Sequence, residues 1–208
     1  MDFETSERFR EAITRFDALN AGDPNREKTP EGEQPRELVY ARRLTEWVLT
    51  LQPEASEALQ LAARCQHLCR WEIPRDTYAA DRAGYLKWRR DLQQFHARRA
   101  GEVLSGVGYD MATLDRVRDL NLKKDLGRDP EVQVLEDALC LVFLQYQLAG
   151  LAERTEDGKL VNALRKSWGK MSSRGREAAL GLSYGDRERS LLGRALEATD
   201  AGQEGGVG

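Results

Sequence analysis

Apolar residues return every third or fourth position along nearly the whole chain. That spacing marks one face of an α-helix. Alternating apolar runs flanked by hairpin turns, the mark of strands, do not stand out. Phe9, Ile13, Phe16 and Leu19 predict a helix over 6–19. The polar stretch NAGDPNREKTPEGEQP follows, and loops of that length are functional or disordered. Pro35 suits the first turn of a second helix over 36–51, where its missing N–H costs nothing. Val39, Leu44, Trp47 and Leu51 are its stripe, and Gln52 and Pro53 break it. A third helix starts at Glu54 or Ser56 and runs to about 70. Beyond Pro74 a long helix is expected over 83–105, with Tyr85, Trp88, Leu92, Phe95, His96, Ala100 and Val103 on one side. Gly106 and Gly108 end it, as glycines end helices. Asp110 caps a shorter helix to about 122, and the Asp129-Pro130 pair opens another over 130–153. This last one, VQVLEDALCLVFLQYQL, is apolar nearly all round, as a central helix is. Two or three short helices follow.

The pattern predicts an all-α protein: a single compact multi-helix domain over 1–200, with a disordered tail, AGQEGGVG, over 201–208. A chain of 208 residues can bury a core without disulfide staples. Three cysteines are an odd number and point to a reducing compartment. The acidic start, MDFETSERFR, has no apolar stretch of a secretory signal. No uninterrupted run of 18 apolar residues offers a membrane span. Together these predict a cytoplasmic protein. The net charge of −3 argues against nucleic acid as a partner unless the charge is strongly segregated. The oligomeric state is not legible.

Candidate chemistry is sparse. His67 and His96 are the only histidines, and both are expected inside helices, on or beside the apolar stripe. A buried imidazole is either a hydrogen-bonded core residue or a metal ligand. Glu136 and Asp137 interrupt the most apolar helix, so at least one needs a cation: an arginine, or a metal shared with imidazoles. Between Arg70 and Arg99, arginines alternate with Trp71, Tyr78, Tyr85 and Trp88. Guanidinium forks match phosphate oxygens and rings stack on bases, although such a stretch is also what a solvated helix face looks like. Arg70 and Arg75 flank a loop beside His67, and Glu72 shares it, placed to bind metal or act as a base. On a continuous helix Cys65 and Cys69 share a side while His67 points roughly 160° away, so the three do not converge on one ion. There is no phosphate loop, no GxGxxG, no HExxH and no GxSxG.

The segments DPNRE, YARRLTEW, AARCQHLCRWEIPR, DRAGYLKWRRDLQQFHA, RDPEVQVLEDALCLVFL and SSRGREAAL resemble, in order, a bacterial and fungal family of similar length known as a domain of unknown function. Some members carry the label glutamyl-tRNA synthetase, but this chain has neither the nucleotide-binding signatures nor the length of one. More distantly, the chain is similar to the HD-type metal-dependent phosphohydrolases. AARCQHLCRW resembles their Ala-rich helix, with His67 near the histidine of the His-Asp pair. FHARRAGEVL resembles a later histidine helix, with His96, and LEDALCLVFL the late-aspartate helix, with Asp137 as the match and Glu136 beside it. The chain departs from that pattern: Leu68 follows His67, and Arg42 or Arg43 stands near the place of the early histidine.

That resemblance implies an HD-phosphohydrolase-like fold and a hydrolase of a small phosphate ester, a nucleotide above all. His67, His96 and Asp137 would hold a divalent ion (Mn, Fe, Zn or Mg). Glu72 would orient or deprotonate the water, and Arg70 would stabilise charge. Arg42, Arg43, Arg75, Trp71, Tyr78 and Lys87 would hold the substrate. The alternative is a metal-free nucleotide- or anion-binding regulatory module on a degenerate HD-like fold.

Overall fold

A computed structural model describes residues 6–200 of the chain. The expected tail over 201–208 lies outside the described residues. The fold is all-α. Ten α-helices are described: α1 (Glu7–Ala21), α2 (Arg36–Leu51), α3 (Glu57–Cys65), α4 (Arg82–Gly106), α5 (Met111–Asn121), α6 (Pro130–Val142), α7 (Leu148–Ala152), α8 (Asp157–Trp168), α9 (Ser173–Leu180) and α10 (Asp186–Asp200). By its internal contacts the chain divides into two compact units, one ending at Leu135 and the other starting at Glu136, so the division falls inside α6.

In the first unit α2 packs on α3, α3 and α4 pack on α5, and α1 touches α2, α3 and α4. Phe16, Leu44, Leu59, Leu61, Leu104 and Leu120 are fully buried there. Side chains satisfy orphan donors at the starts of the helices: Ser6, Ser56, Asp81 and Asp110 accept the N–H of Phe9, Leu59, Gly84 and Thr113. In the second unit α8 packs on α10 through Leu160, Leu164, Leu191 and Ala195, all nearly inaccessible.

The polar stretch after α1 is not structureless. Its centre is an antiparallel hairpin, β1 (Arg26–Thr29) with β2 (Gly32–Pro35), in the register Arg26↔Pro35 to Thr29↔Gly32. Its strands REKT and GEQP hold no large apolar residue, so no alternation announced them. Gly32 takes φ +109°, a conformation open to glycine and strained for other residues, at the end of the turn. The hairpin is tied to α2 by the pairs Arg43–Glu27 and Arg42–Gln34.

The helix expected over 130–153 is interrupted by a π-helical turn over Phe143–Gln147. Its most apolar 18-residue window has a mean hydropathy of 1.4, enough by length and composition to cross a membrane. Half of that window is buried in protein, with Leu135, Leu141 and Leu148 inaccessible, as in the core helix that its apolarity predicts.

The third helix departs most from expectation. It stops at Cys65, five residues before the expected end, and turns carry the chain through His67 to a 3-10 turn at Arg70–Glu72. Cys69 takes a left-handed φ of 54°, and its N–H donates to Oδ1 of Asn20, buried in α1. A partner 49 residues away therefore supports the end of α3. His67 thus sits in a turn, not on a helix, and the helical angle expected between it and Cys65 does not apply.

Candidate functional site

The site grows from the start of α2. Asp23, 1% exposed, accepts the backbone N–H of Glu37 at 3.0 Å through Oδ2. Its Oδ1 accepts the backbone and side-chain amides of Asn25 at 2.9 and 2.8 Å. The hairpin leaves at Asn25 and returns at Arg36, whose N–H donates to the Asn25 carbonyl at 3.0 Å. Asp23 thereby fixes the first turn of α2 and the residues that turn presents, Arg36 and Glu37.

Glu37 is 3% exposed. It lies on the buried stripe of α2 with Tyr40, Ala41, Leu44, Val48 and Leu51. Its Oε2 is 3.2 Å from Nδ1 of His67, and the His67 ring stacks on Tyr40 at 4.0 Å. Its Oε1 lies 3.7 Å from Arg36 and 3.8 Å from Arg70. Burial pushes the Glu37 carboxyl up to about 7, against the pull of Arg70 and Arg36. Burial, with the charge of Arg70 behind it, holds His67 well below the usual imidazole range. Both shifts disfavour a full Glu37–His67 ion pair.

His96, from α4, is the second imidazole, 5.8 Å from His67 between ring centres. Its Nδ1 is 2.8 Å from the Leu68 carbonyl. A carbonyl only accepts, so Nδ1 carries the hydrogen and Nε2 is left as an acceptor. That Nε2 is buried with no hydrogen-bonding partner among the described residues. Burial, then the neighbouring His67, pulls the His96 pKa down to about 3.

Next to this buried group lies an open cleft of about 920 Å³. Arg36, Arg70 and Arg75 line it with Trp71, Tyr78 and Trp88. Asn25 and Asp76 add polar groups. The guanidinium of Arg70 sits over the Trp88 ring at 4.9 Å, and Trp88 is anchored by its Nε1–H to the Ile73 carbonyl at 3.0 Å. Arg75 donates to the carbonyls of Tyr78 and Ala79 at 3.1 and 2.8 Å and so holds the loop on which it lies.

Of the residues singled out from sequence, Arg70, Trp71, Arg75, Tyr78 and Trp88 come together in this cleft. Several others go elsewhere. Arg43 pairs with Glu27, and Arg42 reaches Gln34 and Asp17. Lys87 pairs with Asp91 on the exposed side of α4. Glu72 is 3.6 Å from Arg99 and is largely exposed. Asp137 belongs to the second unit, where its carboxylate accepts the N–H and the hydroxyl of Ser172, the residue that caps α9. Glu136 is 3.3 Å from Lys170, so a lysine supplies the cation for which an arginine was one candidate.

Of the donors expected for a divalent ion, Asp137 is engaged at the α9 cap by Ser172. His67 and His96 turn Nδ1 to Glu37 and to the Leu68 carbonyl, contacts that metal-bound histidines also make. Among the described residues no three His, Cys, Asp or Glu side chains are grouped to hold a metal. Sequence reasoning missed Glu37, Arg36 and Asp23. Glu37 was within reach: it is a carboxylate at helical spacing with Tyr40, Ala41 and Leu44.

Fold and site together define an all-helical protein with a cationic, aromatic cleft beside a buried carboxyl paired with a half-buried imidazole. Residues 10–192 match the family model of a domain of unknown function, DUF4202, and the chain belongs to that family. Neither the curated proteins nor the solved structures include a match.

Proposed function

We propose that this protein binds a small phosphorylated ligand carrying a ring, a nucleotide, in the Arg36–Arg70–Arg75 cleft, and that it does so without a metal. One observation carries the reading: three arginines from separate turns and three aromatic rings converge on a single open cleft. Arginine forks recognise phosphate oxygens, and charge-assisted hydrogen bonds of this kind are worth about 1.5–3 kcal/mol each. The distant likeness to HD-type phosphohydrolases supports a phosphorylated ligand. The engagement of Asp137 by Ser172 at the α9 cap favours the metal-free version of that likeness.

Arg70→Ala should therefore weaken binding of AMP by about 10- to 100-fold, as loss of one charge-assisted contact implies. Arg42→Ala, outside the cleft, should leave it unchanged. Calorimetric titration in the presence of EDTA reads both. Equal affinities in the wild type and the Arg70 variant would refute the site.

A second reading, hydrolysis of the bound ester, rests on the Glu37–His67 pair. A carboxyl near pH 7 hydrogen-bonded to a neutral imidazole is suited to accept or return a proton. Phosphate release that Glu37→Gln abolishes, with AMP binding retained, would favour it over binding alone.

A further inference from the structure

The arginines that line the cleft are not equivalent. Both terminal nitrogens of Arg75 are committed to carbonyls of its own loop. Arg36 and Arg70 are the two whose guanidinium groups remain to meet a ligand. Both stand over the same atom, Oε1 of Glu37, at 3.7 and 3.8 Å. Glu37 lies beneath the cleft rather than in its wall, and it is too buried for water to screen it well. Asp76 adds a second negative charge at the wall. When Glu37 is ionised, three guanidinium charges are thus set against two carboxylates, and only Arg36 and Arg70 are placed to turn a guanidinium group to the ligand.

We infer that Glu37 is a specificity-determining residue that restricts this cleft to a ligand with one phosphate monoester and turns polyphosphates away. The inference rests on the cleft being a phosphate site, and it adds the charge of the ligand. One phosphate dianion is matched by Arg36 and Arg70. Further phosphates have no uncommitted guanidinium to meet, and they approach the carboxylates of Glu37 and Asp76. Specificity of this kind comes from the repulsive element as much as from the attractive one.

The test is the affinity order of AMP, ADP and ATP at pH 8.5, fixed ionic strength and excess EDTA, for wild type and Glu37→Gln. Wild type should bind AMP at least as tightly as ATP. The variant should gain about tenfold or more for ATP and little for AMP, which reverses the order. ATP binding tenfold tighter than AMP in the wild type overturns the inference and leaves the cleft reading standing. An equal gain for all three ligands in the variant also overturns it. Failure of all three to bind the wild type overturns the cleft reading and the inference with it. The wild-type order decides by itself if the variant does not fold.

Discussion

Gly84→Ala should cost the protein about 3 kcal/mol of stability, at the upper end of ordinary overpacking, and take the outer wall of the cleft with it. Gly84 is in the first turn of α4, where its N–H donates to the capping Asp81 at 2.7 Å. A Cβ there would lie 2.2 Å from the Ala79 carbonyl oxygen and 2.9 Å from its carbonyl carbon. These are backbone atoms, which cannot rotate aside, so the loop must move. The same Ala79 oxygen accepts from Arg75, so the shift loosens the arginine's hold on the loop and on Tyr78. A stability loss of that size lowers the melting temperature by about 6–12 °C in a protein of this length. AMP affinity should fall about tenfold or more, since the wall that orders the ligand is displaced. Gly101→Ala is the control. It lies in the same helix with open space around it, and it should be neutral or stabilising. Equal melting temperatures for the two variants would show that the close approach at Gly84 is not real.

The second large effect is a dependence of stability on pH with opposing parts. His67 and His96 are held below their ordinary 6.5, His96 at about 3. Their contribution is present above pH 6.5 and is lost as pH falls, because the unfolded chain takes up protons that the folded one resists. Glu37 is raised from 4.5 to about 7. Its contribution has the other sign: the folded state is favoured below pH 4.5, and that advantage disappears as pH rises through 7. Each proton is worth about 1.4 kcal/mol per pH unit. Between pH 6.5 and 4.5 His96 and Glu37 act in opposite directions and nearly cancel, so the wild type loses the stability that His67 contributes. Glu37→Gln removes the opposing part. The variant should lose about 3 kcal/mol more than wild type over the same interval, and it should be about 3 kcal/mol more stable than wild type above pH 7. Urea midpoints at a series of pH values measure this. Parallel curves for the two proteins would mean that Glu37 is not the buried acid described here.

The fold was legible wherever local chemistry decides it. Pro35 at the start and Gln52-Pro53 at the end bound α2 at the residues expected, and Asp110 and Asp129 announced α5 and α6. It was illegible where a distant partner decides. Nothing in AARCQHLCRW ends a helix at Cys65; the left-handed turn at Cys69 is supported by Asn20 of α1. The hairpin at 26–35 was hidden because neither strand has a buried side. The site follows the same division. Arg70, Trp71, Arg75 and Tyr78 stood out because they alternate within one loop. Glu37 was passed over because the eye reads a carboxylate on a helix as solvated, although its spacing with Tyr40 and Leu44 puts it on the buried stripe. The histidines stood out as the only two in the chain, but their partners, Glu37 and the Leu68 carbonyl, lie about 30 residues away and were not legible.

The central claim is that a phosphorylated, ring-bearing ligand binds in the arginine cleft without a metal. The four tryptophans make this directly observable. Trp71 and Trp88 line the cleft, while Trp47 lies in α2 and Trp168 ends α8. In a titration of indole-labelled protein with AMP and excess EDTA, followed by NMR, the Trp71 and Trp88 signals should shift together and saturate while those of Trp47 and Trp168 hold still. An Arg36→Ala, Arg70→Ala double variant should show no such shift. Signals that never saturate, or that respond equally in the double variant, would contradict the account.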